Sequence, residues 1–105
     1  MLDLSVFQEK YFELKMFDGE VLKLKKPSQE LVIRLMSYEQ QMKNDNPAEI
    51  VGALVGLLTD ILNNNANGKA YSQEFVKSSF DLEVSMVLLK AYMDFVQEVN
   101  SNPNS

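Results

Sequence analysis

The sequence contains no cysteine and no histidine. Their absence excludes disulfides, thiolate chemistry and the usual zinc ligands, and removes the side chain that most often serves as a general base near neutral pH. Basic charge is also scarce, with ten Lys and Arg against fifteen Asp and Glu and a formal charge of −5. Nucleic-acid binding draws its affinity largely from cations that neutralise phosphates, so no nucleic-acid partner is expected. The opening stretch MLDLSVFQEKYF lacks a basic segment followed by an apolar block, so no signal peptide is expected and the chain is expected in the cytoplasm. The longest apolar stretch has roughly 10 to 14 residues, a core-helix length well short of the about 20 that span a bilayer, so no membrane partner is expected.

What is abundant is apolar side chain: 46% of the residues, with six Met, six Phe and four Tyr among them. At 105 residues this is one domain, residues 1–100, followed by a polar tail at 101–105 expected to be flexible. Residues 47–62, PAEIVGALVGLLTDIL, predict the central helix. They are apolar on nearly every face from Ile50 onward, which places such a helix in an interior. Asn46 is suited to cap it, Pro47 to open it and Glu49 to reach back. Ala48, Gly52 and Gly56 recur every fourth residue as a helix-packing stripe where the closest helix approach is expected.

The remaining elements follow from local signals. Leu2, Leu4 and Val6 alternate, which permits an extended arm or a short strand. Residues 11–25 read as a β-hairpin around Asp18-Gly19. A three-residue loop, Phe17-Asp18-Gly19, pairs Leu14 with Leu22 and Phe12 with Leu24 and leaves Glu13 facing Lys23, so one face is apolar; a two-residue loop mixes the faces. Helices are predicted at 28–44, 73–79 and 82–99, capped by Ser28, Ser72 and Asp81. The first presents Leu31, Leu35, Tyr38 and Met42, widened by Val32, Ile33 and Met36; the last presents Val84, Leu88, Ala91, Phe95 and Val99, with Met86, Leu89, Met93 and Val96 beside them. The fold class is therefore mainly α with a small N-terminal antiparallel hairpin (α+β), three to four helices packing round a central apolar helix.

Chemistry is sparse. Asn63, Asn65, Asn67, Gly68 and Glu74 match the spacing of an EF-hand calcium loop, except that the template opens with Asp. Calcium affinity follows ligand charge, and Glu74 is the only charged ligand, so any such site is weak. The competing reading is an Asn/Gly turn in which Gly68 supplies a positive φ. Ser37, Ser72, Ser78, Ser79 and Ser85 have no His to activate them, and neither a base nor a nucleophile can be named, so no enzyme activity and no cofactor are expected. Lys23, Lys25 and Lys26 are expected to shield an exposed strand from edge pairing. The apolar surplus points to a partner-binding groove, with Tyr38, Met42, Tyr71, Phe75, Phe80, Tyr92 and Met93 as its candidate lining.

The order of elements, LDLSVFQEKYFELKMFDGEVLKLKKPS, a helix opening ELVIRL, a Pro-capped apolar helix and YSQEF opening a helical C-terminal half, resembles the small tail assembly chaperones of long-tailed phages of Gram-positive hosts, in particular the short lactococcal and streptococcal type. The resemblance covers about residues 2 to 100. It implies a non-virion protein that binds the tape measure protein, a long helical chain with apolar repeats, and that self-associates. The competing expectation is a structural oligomer of the tail or neck.

Overall fold

A computed structural model describes residues 1–4, 10–43 and 46–101, with side chains through residue 98. Strands β1 (Tyr11–Lys15) and β2 (Val21–Lys25) pair antiparallel, with Phe12 opposite Leu24, Glu13 opposite Lys23 and Leu14 opposite Leu22. The Met16 N–H donates to Glu20 O at 2.8 Å and Gly19 sits at φ +88°, so the turn is the three-residue loop that the hydrophobic pattern requires. Leu22 and Leu24 are fully buried, while Glu13 and Lys23 face outward.

The outer edge of β2 is not bare. The Lys25 N–H donates to Asn64 O and the Ala66 N–H to Lys23 O, each at 2.8 Å, and Leu24 forms a bridge with Asn65. The expectation that Lys23, Lys25 and Lys26 guard this edge is therefore corrected, because residues 64–66 cover it with backbone hydrogen bonds.

Helices α1 (Gln29–Met42), α2 (Pro47–Asn63), α3 (Gln73–Ser79) and α4 (Leu82–Ser101) complete the fold. At each start a side chain accepts a hydrogen bond from one of the free N–H groups. Ser28 Oγ accepts from the Leu31 N–H at 3.2 Å and Asn46 Oδ1 from the Ala48 N–H at 3.0 Å. Ser72 Oγ accepts from the Phe75 N–H at 3.1 Å and Asp81 Oδ1 from the Val84 N–H at 2.8 Å. The protein is thus an α+β fold, mainly helical with one small hairpin, in which α1, α3 and α4 all pack on α2.

Burial divides α2 into two parts. Ala53 through Thr59, with Ile61 and Leu62, is buried, and Thr59 hides its hydroxyl by donating to Val55 O at 2.7 Å. Val51 and Gly52 are exposed and Ile50 is half-buried, so the helix is not enclosed along its whole length. The small-residue stripe is corrected accordingly. A Cβ on Gly56 would stand 2.7 Å from Tyr38 Cε1, whereas one on Gly52 would meet nothing within 4 Å, and Ala48 is exposed. The Tyr38 ring of α1 crosses α2 at Gly56, and one turn earlier no described atom approaches the Gly52 position.

Two further faces are narrower than their sequence periodicity implies. On α1, Leu31 and Leu35 are buried and Tyr38 and Met42 half-buried, but Ile33 (67% exposed) and Met36 (60%) point away from the core. On α4 the buried line is Ser85, Leu88, Tyr92 and Val96, rotated from the expected stripe, so Val84, Ala91 and Phe95 are half-buried and Met86 is exposed. The radius of gyration is 14.5 Å, against roughly 13 Å for a compact chain of this length. Leu2 and Leu4 are exposed. The alternation at Val6, the helix end at residue 44, the Val99 side chain and tail residues 102–105 lie outside what is described.

Candidate functional site

The hairpin turn and α3 together build an aromatic cleft. The three-residue loop, reinforced by the Glu20 N–H donating to Asp18 Oδ1 at 2.9 Å, holds Phe17 at the tip with 66% of its surface exposed. Opposite it, the residues after α2 are fastened by asparagine side chains. Asn63 clamps the Tyr71 backbone through both amide atoms, accepting from its N–H at 2.7 Å and donating to its carbonyl at 2.9 Å. This fixes Tyr71 just before α3, whose first turn presents Phe75, and α3 ends at Phe80 because the chain turns extended there.

The four rings form a continuous series. Centroids are 5.2 Å apart for Phe17–Phe80, 6.2 Å for Phe80–Phe75 and 5.2 Å for Phe75–Tyr71, all within the range of favourable aromatic pairing. Beside them opens a cleft of about 310 Å³ lined by Met16, Phe17, Asp18, Glu20, Lys69, Tyr71, Phe75 and Ser79. A smaller hollow of about 70 Å³ lies against the Phe17 and Phe80 pair, with Leu14, Val84 and Leu88 among its lining. The cleft's polar rim is an ion pair, Lys69 Nζ to Glu20 Oε1 at 2.8 Å. Its hydrogen bond to Glu20 raises the Lys69 pKa; burial, aided by the Glu20 charge, raises that of the Tyr71 phenol. The cleft's volume is at the lower end for small-ligand sites, and aromatic rings and Met16 line it beside the Lys69 and Glu20 ion pair.

Of the residues expected to line a groove, Tyr71, Phe75 and Phe80 are brought together here; Met16 and Phe17 join them unanticipated. Tyr92 is corrected from partner-facing to core: it is 0% exposed, stacks edge-on with Phe12 at 6.0 Å and donates its hydroxyl to Lys25 O at 2.8 Å. Met93 is half-buried on α4, and Tyr38 and Met42 pack against the core from α1. None of these four lines the cleft. Near Tyr38, Arg34 Nη1 lies 3.7 Å from Asp60 Oδ1, while Asp60 Oδ2 is buried with no hydrogen-bond partner among the described residues. Burial first, then the charge and hydrogen bond of Asp60, raise the Tyr38 pKa.

The calcium-loop reading of Asn63, Asn65, Asn67 and Glu74 is corrected by where the amides point. Asn65 Oδ1 accepts from the Asn67 and Lys69 N–H groups, each at 3.0 Å, and its Nδ2 donates to Leu62 O and Lys69 O. Asn67 Oδ1 accepts from the Lys23 N–H at 2.8 Å. Oxygens already bonded to backbone donors do not converge on a cation, and Glu74 sits exposed in the first turn of α3. Gly68 has φ +73°, as the turn reading requires. Among the described residues no group of three or more His, Cys, Asp or Glu could hold a metal ion, and no helix is long and apolar enough to cross a membrane. A second hollow, about 420 Å³, is lined by Lys10, Tyr11, Lys25, Lys26, Pro27, Ser28 and Asn64.

No family model matches the chain, and neither the search of curated proteins nor that of solved structures finds a match.

Proposed function

We propose that this chain is a non-catalytic phage tail assembly chaperone, acting in the host cytoplasm, that holds apolar helical repeats of the tape measure protein until the tail polymerises and is left out of the virion. The observation that carries the reading is the series of rings Phe17, Phe80, Phe75 and Tyr71, of which Phe17, Phe75 and Tyr71 line the 310 Å³ cleft and Phe80 the hollow beside it. A helix with an apolar stripe presents side chains at i, i+3 and i+4, and a cleft that takes one or two of them is the unit of a helix-in-groove contact. One such contact is weak. Self-association multiplies it, because several clefts engaging successive repeats of one chain act at high effective concentration. The exposed Ile33 and Met36 on α1, and Leu82, Met86 and Val87 on α4, are apolar surface of the kind that assembly would cover.

Co-expression tests the reading. The tape measure protein is expected to be soluble with the native chain and to precipitate with the Phe17→Ala/Phe75→Ala double variant. Unchanged solubility with and without the native chain would sink the proposal. Immunoblots of purified virions separate it from a structural tail or neck subunit, which would be present in the particle. A strict monomer across a sedimentation series would remove the multivalent mechanism.

A further inference from the structure

Asparagine is followed directly by glycine at one place in the sequence, Asn67-Gly68, and that asparagine is also a fastener. Its Oδ1 accepts from the Lys23 N–H at 2.8 Å, and its Nδ2 donates to Val21 O at the longer distance of 3.3 Å. The side chain thereby ties the loop to β2 at the end next to Glu20, on the rim of the cleft. Both residues are exposed. Gly68 has φ +73°, it carries no side chain to shield its backbone nitrogen, and no described atom lies within 4 Å of where its Cβ would be.

We infer that Asn67-Gly68 is a self-modification site whose reaction loosens β2 from the loop. The Gly68 backbone nitrogen attacks Asn67 Cγ and gives up its proton, the Cγ–Nδ2 bond breaks, and ammonia leaves with that proton. Water then adds to one of the two carbonyls of the five-membered imide, and opening the ring yields aspartate or its β-linked isomer at position 67. No oxidant or cofactor is needed. The Lys23 N–H donated to Oδ1 is placed to stabilise the negative charge that develops on that oxygen during attack. The leaving nitrogen is the one held by the longer bond, to Val21 O. In the aspartate product a carboxylate oxygen replaces Nδ2 and faces the Val21 carbonyl, two acceptors with no proton between them. The β-linked product also lengthens the backbone by one carbon and withdraws the side chain from Lys23.

The test is to age the native protein in heavy-oxygen water at mildly alkaline pH, map its peptides by mass spectrometry, and age the denatured chain beside it. Conversion is expected at Asn67 ahead of every other asparagine, with one heavy oxygen incorporated per event. Amide exchange at Lys25 and Ala66, whose N–H groups tie strand to loop, is expected to rise in the aged protein and equally in freshly made Asn67→Asp. The Asn67→Gln variant, whose closure would need a larger ring, is expected to stay unconverted. Conversion of the denatured chain without conversion of the native one would overturn the inference, as would conversion that leaves the exchange of Lys25 and Ala66 unchanged.

Discussion

The hairpin carries two phenylalanines that meet two different fates. Phe12 packs edge-on against Tyr92 and Phe95, with centroids 6.0 and 5.8 Å away, and the Tyr92 ring in this group is completely buried. Phe17, at the turn, joins Phe80, Phe75 and Tyr71, and none of these four rings is fully buried. The difference is set by what stands opposite. Phe12 lies on the face of the sheet that also carries Leu22 and Leu24 and that α4 covers, and Tyr92 can be buried because its hydroxyl finds Lys25 O. Phe17 extends beyond the paired strands, where α3 has only seven residues with which to cover it. One cluster is sealed round a buried ring, and the other leaves all four of its rings open to solvent in part.

The most direct way to break this comparison is Tyr92→Ala, which should destabilise the fold by about 3–5 kcal/mol, the usual cost of deleting a large buried aromatic. Chemical denaturation measures it; a loss under about 1 kcal/mol would mean the sealed cluster is not core. The same residue gives a pH signature. Burial pushes the Tyr92 phenol from 10.0 to about 12, against a smaller downward pull from the Asn64 side chain. Between those values the unfolded chain has lost the phenolic proton and the folded chain has kept it, so stability is full below about pH 10 and falls as pH rises toward 12. Tyr92→Phe should flatten that fall, although Tyr38 and Tyr71, also raised, leave some slope.

Two glycines of α2 repeat the contrast between sealed and open at smaller scale. Gly56→Leu forces the Tyr38 ring aside and should cost about 1–3 kcal/mol, the range for overpacking. Gly52→Leu enters open space and should stabilise the helix by several tenths of a kcal/mol. Thermal melts of the pair decide it: equal and opposite behaviour from that stated would place the close approach of α1 at Gly52.

The elements themselves were legible because their punctuation is local. Asn46-Pro47, Ser28, Ser72, Asp81 and the Asp18-Gly19 turn each act within a few residues, and the hairpin register follows from burying one face. The site was legible only in part. Tyr71, Phe75 and Phe80 stand out as apolar side chains around a short helix, but Phe17 occupies a loop position and reads as turn chemistry until Phe80 is brought beside it. Asn63, Asn65 and Asn67 show the limit most clearly. The same alternation suits a cation's ligands or a loop's fasteners, and the choice is made by backbone groups far away in sequence, such as the Lys23 N–H, 44 residues from Asn67. Tyr92 was misassigned because helical periodicity admits several stripes on α4, and which one is buried depends on where the hairpin lies.

Phe75→Ala sharpens the comparison from the other side. Half-buried and on the open cluster, Phe75 should contribute much less to stability than Tyr92, about 1–2 kcal/mol, while under the proposed function its loss should abolish capture of an apolar helix. If the denaturation cost matched that of Tyr92→Ala, the open cluster would be a second core.

The smallest expected effect lies on the rim. Lys69 and Glu20 are both substantially exposed, so solvent screening should leave the pair contributing little to stability despite its 2.8 Å separation. Glu20→Gln should therefore barely move the melting temperature, and that silence is informative. If the rim only flanks a cleft that recognises apolar side chains, partner capture should also be nearly unchanged by Glu20→Gln and nearly independent of salt. If capture instead weakens steeply with salt and disappears in the variant, recognition resides in the charged rim, and the rings of Phe17, Phe75, Phe80 and Tyr71 are no more than a poorly covered edge of the core.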